Sequence, residues 1–207
     1  MLGYYNYTVV LTYVGMLTAF CGVKFALDGN ILAALLCLMI SGVCDMFDGK
    51  IASTKTRTQS EKRFGIQIDS LSDLICFGVL PAFIVLHGNQ HNTVTFWIAN
   101  FYLLCTLVRL AYFNVDEEER QAQTQTARTV YLGLPVTTSA LVTPAAYGIG
   151  QRMHWPVHII APTLLVVMGA GFLTPFQLKK PGLLGKAALI LVGVAELLIL
   201  VMGGGLS

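Results

Sequence analysis

The stretch CDMFDGKIASTKTRTQSEKRFGIQIDSLSD, residues 44–73, lies between two apolar segments and places aspartates at the facing end of each. Asp45 and Asp48 are three residues apart, and Asp69 and Asp73 are four apart, so each pair would share one face of a helix. A carboxylate within hydrocarbon costs about 2.5–3.5 kcal/mol on insertion scales, which makes a functional role the usual explanation. Two antiparallel helices joined by a short connection are neighbours, so the stretch predicts a hairpin whose carboxylates converge.

The surrounding sequence has the composition of a membrane protein. Of its 207 residues 55% are hydrophobic and only 12% are charged, with a mean hydropathy of +0.68, whereas soluble domains are about 25% charged. We predict one domain, residues 1–207, that is an all-α integral membrane protein, a polytopic bundle of six to eight transmembrane helices with seven as the best count. Each helix needs roughly 20 apolar residues to cross a bilayer. The predicted spans are 7–27, 30–51, 66–87, 93–114, 132–150, 156–175 and 184–203.

The basic residues predict the orientation of this bundle. Of the 13 Lys and Arg residues, all but Lys24 and Arg152 fall in or beside the second, fourth and sixth connections. Positive charge favours the cytoplasmic side, so the N-terminus and the aspartate stretch should face the cytoplasm. A net charge of +2 is too small to indicate nucleic-acid binding, and the five cysteines have no CxxC spacing that would indicate zinc or iron.

Converging carboxylates need a cation. Anions repel one another in a low-dielectric site and cannot all stay ionised without positive charge nearby. Mg²⁺ and Mn²⁺ prefer oxygen ligands, and magnesium is commonly shared between carboxylates and substrate phosphates. Gly49, Ala52 and Gly65 leave bare backbone beside the aspartates, where a bulky polar ligand can approach. The pattern predicts a site for a divalent cation and a phosphate-bearing substrate.

The spacing of these residues resembles a known family signature. Asp-x-x-Asp-Gly-x-x-Ala followed by Gly-x-x-x-Asp-x-x-x-Asp is similar to the motif of the CDP-alcohol phosphotransferase family. The resemblance implies a two-metal site for a CDP-linked lipid, with Asp45, Asp48 and Asp69 as ligands of Mg²⁺ or Mn²⁺ and no organic cofactor. It implies that Asp73, also near the metals, is the general base for an acceptor hydroxyl. It further implies a homodimer, and it places the catalytic helix hairpin at residues 41–87.

The chain departs from the family motif in the connection between the two helices. Ser53 stands where the family usually has Arg, and the connection TKTRTQSEKRF is longer than usual. Lys55 or Arg57 could supply the missing positive charge. The resemblance implies that the CDP group binds at residues of this region, namely Gly49, Ala52, Ser53, Arg57 and Gly65.

Three later segments are similar to the phosphatidylserine synthase branch of that family: RLAYFN (109–114), YLGLP (131–135) and FLTPFQLKKPG (172–182). Arg109 could pair with the carboxylate of serine, or it could mark the membrane interface. Asn114 could bind the acceptor or cap its helix. Lys179 and Lys180 could hold a lipid phosphate or reflect only the positive-inside preference.

The predicted function is metal-dependent transfer of a phosphatidyl group from CDP-diacylglycerol to L-serine, with release of CMP and formation of phosphatidylserine. The same chemistry with glycerol 3-phosphate or an inositol headgroup as acceptor, or with an archaeal-type CDP-lipid donor, is the alternative. A cation-coupled carrier is a more distant one, since carriers often show repeats and midplane sites that this chain lacks. We expect membrane lipids as surroundings, no nucleic acid as partner, and an active site that faces the cytoplasm.

Overall fold

The computed structural model describes residues 3–89, 92–123, 130–179 and 182–203. The described residues form eight α-helices and a two-stranded antiparallel ribbon. The helices are α1 Val10–Leu27, α2 Ile31–Ala52, α3 Gln59–Asp73, α4 Leu80–Gly88, α5 Thr93–Gln123, α6 Ser139–Arg152, α7 Val157–Leu173 and α8 Leu183–Gly203. The strands are β1 Val130–Leu132 and β2 Gln177–Lys179, and short 3-10 turns precede α1 at Tyr7–Val9 and α6 at Val136–Thr138.

The all-α polytopic prediction is confirmed. Because α3 continues through a π-helical turn, Leu74–Val79, directly into α4, the eight helices make seven rods, one for each predicted span. Four rods are long and apolar enough to cross a membrane: Tyr7–Leu27, Ile31–Ala52, Gln59–Gly88 and Thr93–Arg120. Shorter apolar helices lie at Val157–Leu173 and Ala187–Met202, and α6 has 14 residues.

Three predicted spans differ from the helices at one end. The third was predicted at 66–87, but its rod already begins at Gln59. The fourth span was placed at 93–114, but α5 continues as a helix through the acidic and basic residues to Gln123. The fifth was placed at 132–150, but the helix α6 begins only at Ser139. Leu132 ends strand β1, and Gly133 follows with a φ of +73, a left-handed conformation that stops regular structure there.

Local sequence signals explain where the aspartate-bearing helices begin. The side chain of Asn30 accepts a hydrogen bond from the backbone N–H of Ala33 and so caps α2. A capping box starts α3, in which Thr58 and Glu61 each accept from the backbone N–H of the other. The first cap fixes the start of α2, at the end of the helix remote from the aspartates, and the second fixes the point at which the connection from α2 enters α3.

The π-helical turn between α3 and α4 is held by neighbouring helices. Pro81 has no N–H and cannot donate to the carbonyl of Phe77 four residues earlier. That carbonyl instead accepts from the Tyr102 hydroxyl at 2.5 Å and from Ser139 Oγ at 3.3 Å. Tyr102 is fully buried. Side chains of α5 and α6 thus satisfy the polar group that the proline releases, as membrane helices require.

The apolar core extends from α1 and α2 through α4 and α5 to α6, α7 and the end of α8. Small residues bring α1 and α2 together, since a Cβ added at Gly22 would lie 2.8 Å from Cys37 Cβ, and one at Gly15 would lie 3.2 Å from Cys44 Cβ. Large apolar side chains are exposed on the outer faces of the helices, including Trp97 and Met202. This distribution is typical of a bundle whose outside contacts lipid.

The ribbon joins two of the later sequence segments. Strand β1 pairs with β2 in an antiparallel register that sets Tyr131 opposite Leu178, and the Gly133 N–H donates to the carbonyl of Phe176 at 2.7 Å. A Cβ at Gly133 would lie 3.0 Å from the carbonyl oxygen of Thr174, so the close approach also favours glycine. The segments around residues 131–135 and 172–179 therefore form one unit.

Candidate active site

Two helices bring the predicted carboxylates together. Asp45 and Asp48 lie in the last turns of α2, and Asp69 and Asp73 lie at the end of α3. Carboxylate oxygens of Asp45, Asp48 and Asp69 all lie within 4.8 Å of one another, and all three residues are half-buried. The helix spacing that paired the aspartates in the sequence therefore corresponds to one acidic cluster in space.

Asp73 lies beside this cluster rather than within its tightest group. It is the last residue of α3, followed directly by the π-helical turn, and it is half-buried. Its carboxyl group lies within hydrogen-bonding reach of Asp45, as that of Asp48 lies within reach of Asp69. Asp73 is thus close enough to act on a group held at the cluster.

Sequence reasoning missed a contact from the first helix. Thr12 is buried in α1, and its Oγ1 donates to Oδ2 of Asp48 at 3.2 Å. Ser72 Oγ in turn donates to the backbone carbonyl of Thr12 at 3.2 Å. A threonine within an apolar span carries no sequence signal of its own, and only the packing of α1 against α2 and α3 reveals its role.

A cavity of about 760 Å³ opens beside the aspartates. It is bounded by α1, the end of α2, the connection, α3 and the end of α5. Its charged and small lining residues are Asp48, Gly49, Ala52, Arg57, Lys62, Arg63, Gly65, Asp69, Glu118 and Arg120. A Cβ added at Gly49 would meet no atom within 4 Å, so this glycine keeps backbone open to the cavity.

The structure distinguishes the two candidate replacements for the motif arginine. Lys55 is paired with Glu61 at 3.3 Å and does not line the cavity. Arg57 does line it, and its Nη1 lies 3.1 Å from the position that a Cβ on Gly65 would take. Of the two candidates, Arg57 is therefore the one that borders the cavity.

Ser53 has a local structural role. Its Oγ donates to the carbonyl of Lys50 at 2.6 Å at the end of α2, and it does not line the cavity. Of the residues predicted for CDP binding, the structure thus gathers Gly49, Ala52, Arg57 and Gly65 around the cavity and leaves Ser53 on its edge.

The end of α5 contributes two lining residues that the sequence analysis did not single out. Glu118 and Arg120 border the cavity. Arg120 forms a bidentate pair with Glu117, with Nε to Oε2 at 2.9 Å and Nη2 to Oε1 at 2.5 Å. The signal that could have found them is the polar side of a helix that continues past the membrane span.

The residues predicted for the acceptor or a lipid phosphate lie elsewhere. Asn114 is inside α5, so it does not cap a helix end; its Oδ1 accepts from Ser70 Oγ at 2.6 Å, and its Nδ2 donates to Gln67 at 3.3 Å. Arg109 is buried, donates from Nε to the carbonyl of Leu134 at 3.4 Å, and borders a separate cavity of about 250 Å³.

The role predicted for the two lysines after the sixth span, Lys179 and Lys180, stays a prediction. Lys179 is the last residue of β2, where it pairs in register with Val130, and Lys180 lies outside the described residues.

The donor set fits a hard divalent cation. Clustered carboxylate oxygens are the ligands that Mg²⁺ and Mn²⁺ prefer. Half-burial lowers the local dielectric, which strengthens both the repulsion among the acids and their attraction for a cation. The basic residues around the rest of the cavity favour an anionic ligand. The arrangement can therefore hold a metal ion and a phosphate-bearing molecule side by side.

Known proteins share this sequence pattern. A family model described as CDP-alcohol phosphatidyltransferase matches residues 5–204. A CDP-diacylglycerol--serine O-phosphatidyltransferase of Saccharomyces cerevisiae is 35% identical over 147 residues, which cover 65% of this chain and 52% of that protein. One from Mycobacterium leprae is 30% identical over 134 residues, covering 63% and 43%.

A relative with a different printed name also matches. An archaetidylserine synthase of Methanothermobacter thermautotrophicus is 26% identical over 153 residues, which cover 72% of this chain and 62% of that protein. The chain spans about half the length of the two curated serine phosphatidyltransferases it matches, with 52% of the S. cerevisiae protein and 43% of the M. leprae protein covered.

Proposed function

The chain belongs to the CDP-alcohol phosphatidyltransferase family, and from that premise we propose that it transfers a phosphatidyl group from CDP-diacylglycerol to L-serine and releases CMP. The observation that carries the proposal is the half-buried aspartate cluster beside a cavity with basic lining residues. The relatives named as serine phosphatidyltransferases support serine as the acceptor.

The metal ligands in this proposal are Asp45, Asp48 and Asp69, with Asp73 adjoining them. Family members generally depend on a divalent metal, and Mg²⁺ or Mn²⁺ suits these oxygens. A bound divalent metal supplies positive charge against the phosphoryl oxygens and against the departing CMP. Thr12 orients one ligand by donating to Asp48.

The cationic lining residues hold the donor. Arg57, Lys62 and Arg63 border the cavity on the side of the connection, where they can pair with the pyrophosphate of the CDP group. Gly49 and Gly65 leave room for the nucleotide to approach the backbone. The lipid tails then remain among the apolar outer faces of the helices.

The bond changes require one proton acceptor. The acceptor hydroxyl oxygen bonds to the lipid-linked phosphorus as the bond from that phosphorus to the bridging pyrophosphate oxygen breaks, and the electron pair leaves with CMP. Asp73 takes the hydroxyl proton, a role that its place beside the cluster allows. A carboxylate is a weak base toward an alcohol, so Asp73 also contributes by positioning the hydroxyl.

The setting of the reaction follows from the same premise. We propose one membrane domain with the catalytic hairpin at residues 41–87, an active site that faces the cytoplasm, and a homodimeric assembly. The basic connection that borders the cavity supports the cytoplasmic orientation.

An isoprenoid donor is a second candidate for the lipid. The match to an archaetidylserine synthase favours it, and the cavity residues would contact only the CDP headgroup, which both donors share. Glycerol 3-phosphate and an inositol headgroup are the alternative acceptors.

Release of CMP by the purified chain in detergent tests the proposal. CDP-diacylglycerol and Mn²⁺ or Mg²⁺ would be supplied with serine, glycerol 3-phosphate or inositol in separate reactions. We expect release with serine, its loss when EDTA removes the metal, and its return when metal is restored. Release with another acceptor alone would overturn the choice of serine, and no release with any acceptor would overturn the reaction class.

A further inference from the structure

The residues that precede α1, 4–9, lie against the connection between α2 and α3. We call them the N-terminal segment. Thr8 and Val9 of this segment line the larger cavity. The segment leads directly into α1, where Thr12 donates to Asp48. It therefore belongs to the wall of the candidate active site, although the reaction as described above gives it no role.

Asn6 caps the turn within this segment and also contacts the start of α3. Its Oδ1 accepts from the backbone N–H of Thr8 at 3.0 Å and so caps the 3-10 turn. Its Nδ2 donates to Oε1 of Glu61 at 3.3 Å. The Glu61 side chain is 16% exposed and belongs to the capping box that begins α3. One amide side chain thus joins the N-terminal segment to the first turn of α3.

Tyr7 contacts the other end of the connection. Its hydroxyl oxygen lies 3.0 Å from Oγ1 of Thr54. The Thr54 hydroxyl donates its single proton to the carbonyl of Ile51 at 2.7 Å, so the Tyr7 hydroxyl is the donor in their contact. A third contact is apolar: the ring of Tyr4 meets the ring of Phe64 edge to face, with 5.6 Å between the centroids.

The two hydrogen bonds hold the connection near both of its ends. Thr54 is the second residue after α2, and Glu61 is the third residue of α3. Arg57 lies between them and reaches the cavity against Gly65. Within the part of the chain that the structure describes, Arg57 forms no ion pair at 4.0 Å or less, so the backbone on either side of it largely determines where its charge lies. A loop that is already held in place loses less conformational entropy when it binds a ligand.

We propose that Asn6 and Tyr7 are positioning residues for the donor, which hold the connection so that Arg57 lies at the cavity wall where the pyrophosphate of the CDP group binds. This assignment rests on the proposed function. Neither Asn6 nor Tyr7 is among the described residues that line the cavity, so each acts through the connection. Loss of either contact should therefore weaken donor binding and leave the chemical step at the aspartates unchanged.

Three substitutions in the N-terminal segment separate these hydrogen bonds from the other contacts of the same side chains. Tyr7→Phe keeps the ring and removes only the hydroxyl. Asn6→Ser keeps an acceptor for the Thr8 N–H, because serine is also a favoured N-cap residue, and removes the donor to Glu61. Tyr4→Phe is the matched control, since it keeps the ring contact and removes a hydroxyl that forms no hydrogen bond within the described residues.

Steady-state kinetics of CMP release test the proposal, with the donor varied at saturating serine and serine varied at saturating donor. We expect Tyr7→Phe and Asn6→Ser each to raise KM for CDP-diacylglycerol by about threefold to tenfold, the usual effect of one lost hydrogen bond. The kcat and the KM for serine should stay within about twofold, as expected when only donor binding is weakened. Tyr4→Phe should match the unmodified chain.

A double-mutant cycle shows whether these effects pass through Arg57. Arg57→Gln by itself is expected to raise KM for the donor. If Asn6 and Tyr7 act by placing Arg57, then Tyr7→Phe and Asn6→Ser should raise this KM by less than about twofold further in the Arg57→Gln background. Independent contributions would instead multiply.

Two results would overturn the proposal. One is a lower thermal unfolding midpoint with an unchanged donor KM, which would make the contacts purely structural. The other is a full, multiplying effect in the Arg57→Gln background. Tyr7→Phe, the milder change, decides the outcome if Asn6→Ser fails to fold. A failure of the proposed function would look different, because the unmodified chain would then release no CMP with serine, and binding of CDP-diacylglycerol by the same variants would still test the positioning role.

Discussion

Two cationic residues of the connection between α2 and α3 have different surroundings. Lys55 forms an ion pair with Glu61, whose side chain also completes the capping box that begins α3. Arg57, two residues later, lies against Gly65 at the edge of the cavity. Two neighbouring cations of the same connection thus have different partners, and only one of them is placed to contact a nucleotide.

Exchange of either cation for glutamine should separate these roles. We expect Arg57→Gln to raise KM for CDP-diacylglycerol by about tenfold or more, because a charged hydrogen bond to phosphate contributes roughly 1.5–3 kcal/mol. Lys55→Gln, the matched control from the same connection, should leave that KM within about twofold, since a single ion pair of this kind contributes roughly 1 kcal/mol or less. Kinetics with varied donor and saturating serine measure both, and equal effects of the two substitutions would refute the assignment.

At this scale the sequence predicts the aspartates well and their supporting contacts poorly. Asp45, Asp48, Asp69 and Asp73 follow from helical spacing, which is a local property of the chain. The hydrogen bond from Thr12 and the position of Glu118 depend on how distant helices pack. No local pattern distinguishes such residues from ordinary members of an apolar span or of a charge run.

Among the elements, the rod formed by α3, the π-helical turn and α4 connects the packing of the helix bundle most directly to the candidate active site. The turn begins directly after Asp73, and the carbonyl of Phe77 within it depends on Tyr102 and Ser139 from other helices. π-Helical turns are often found at functional sites. The contacts that satisfy this carbonyl therefore help to fix the end of the helix that presents Asp73.

Removal of the Tyr102 hydroxyl should weaken this rod. Tyr102→Phe keeps the buried ring and removes one donor to the Phe77 carbonyl, so we expect a loss of about 1 kcal/mol in unfolding free energy. Thermal unfolding of the purified protein in detergent measures the change. Tyr112→Phe, at a tyrosine that is 54% exposed, is the matched control and should shift the midpoint little. Identical midpoints for the two variants would contradict the role given to Tyr102.

The sequence indicates the helical rods but not their irregular parts. Apolar length predicts seven rods because a spanning helix satisfies its own backbone. The π-helical turn, the β1–β2 ribbon and the helical continuation of α5 past residue 114 were not predicted. Each has a long-range partner: Tyr102 for the turn, the pairing of two distant strands for the ribbon, and the contacts of Asn114 with α3 for the end of α5.

For the whole molecule, the account requires the cavity to open toward the cytoplasm. The connection and the first turns of α3 carry three of its four basic lining residues, Arg57, Lys62 and Arg63, and positive charge is retained on the cytoplasmic side of a membrane. The turn between α1 and α2, at Asp28, lies at the opposite end of the first two rods. Water-soluble serine and CMP would then exchange on the cytoplasmic side.

Cysteine labelling in sealed right-side-out vesicles tests this orientation. We expect a membrane-impermeant maleimide to label Asp28→Cys in intact vesicles, and to label Ser60→Cys only after the vesicles are opened. Both positions are exposed. Of the native cysteines, Cys21 lies within the first span and the others are buried, so the unmodified chain gives the background. Labelling of Ser60→Cys in intact vesicles would reverse the orientation.

We propose that three aspartates hold the metal while Asp73 accepts the proton, and paired measurements on two variants distinguish these roles. Mn²⁺ affinity and CMP release with serine would be measured for Asp73→Asn and Asp69→Asn, with the exposed Asp28→Asn as control. We expect Asp73→Asn to lower release by about 10²–10⁴-fold, with a smaller loss of Mn²⁺ affinity than in Asp69→Asn. Asp69→Asn should lose both release and Mn²⁺ affinity. Release at the unmodified rate by Asp73→Asn, or undiminished Mn²⁺ binding by Asp69→Asn, would contradict this proposal.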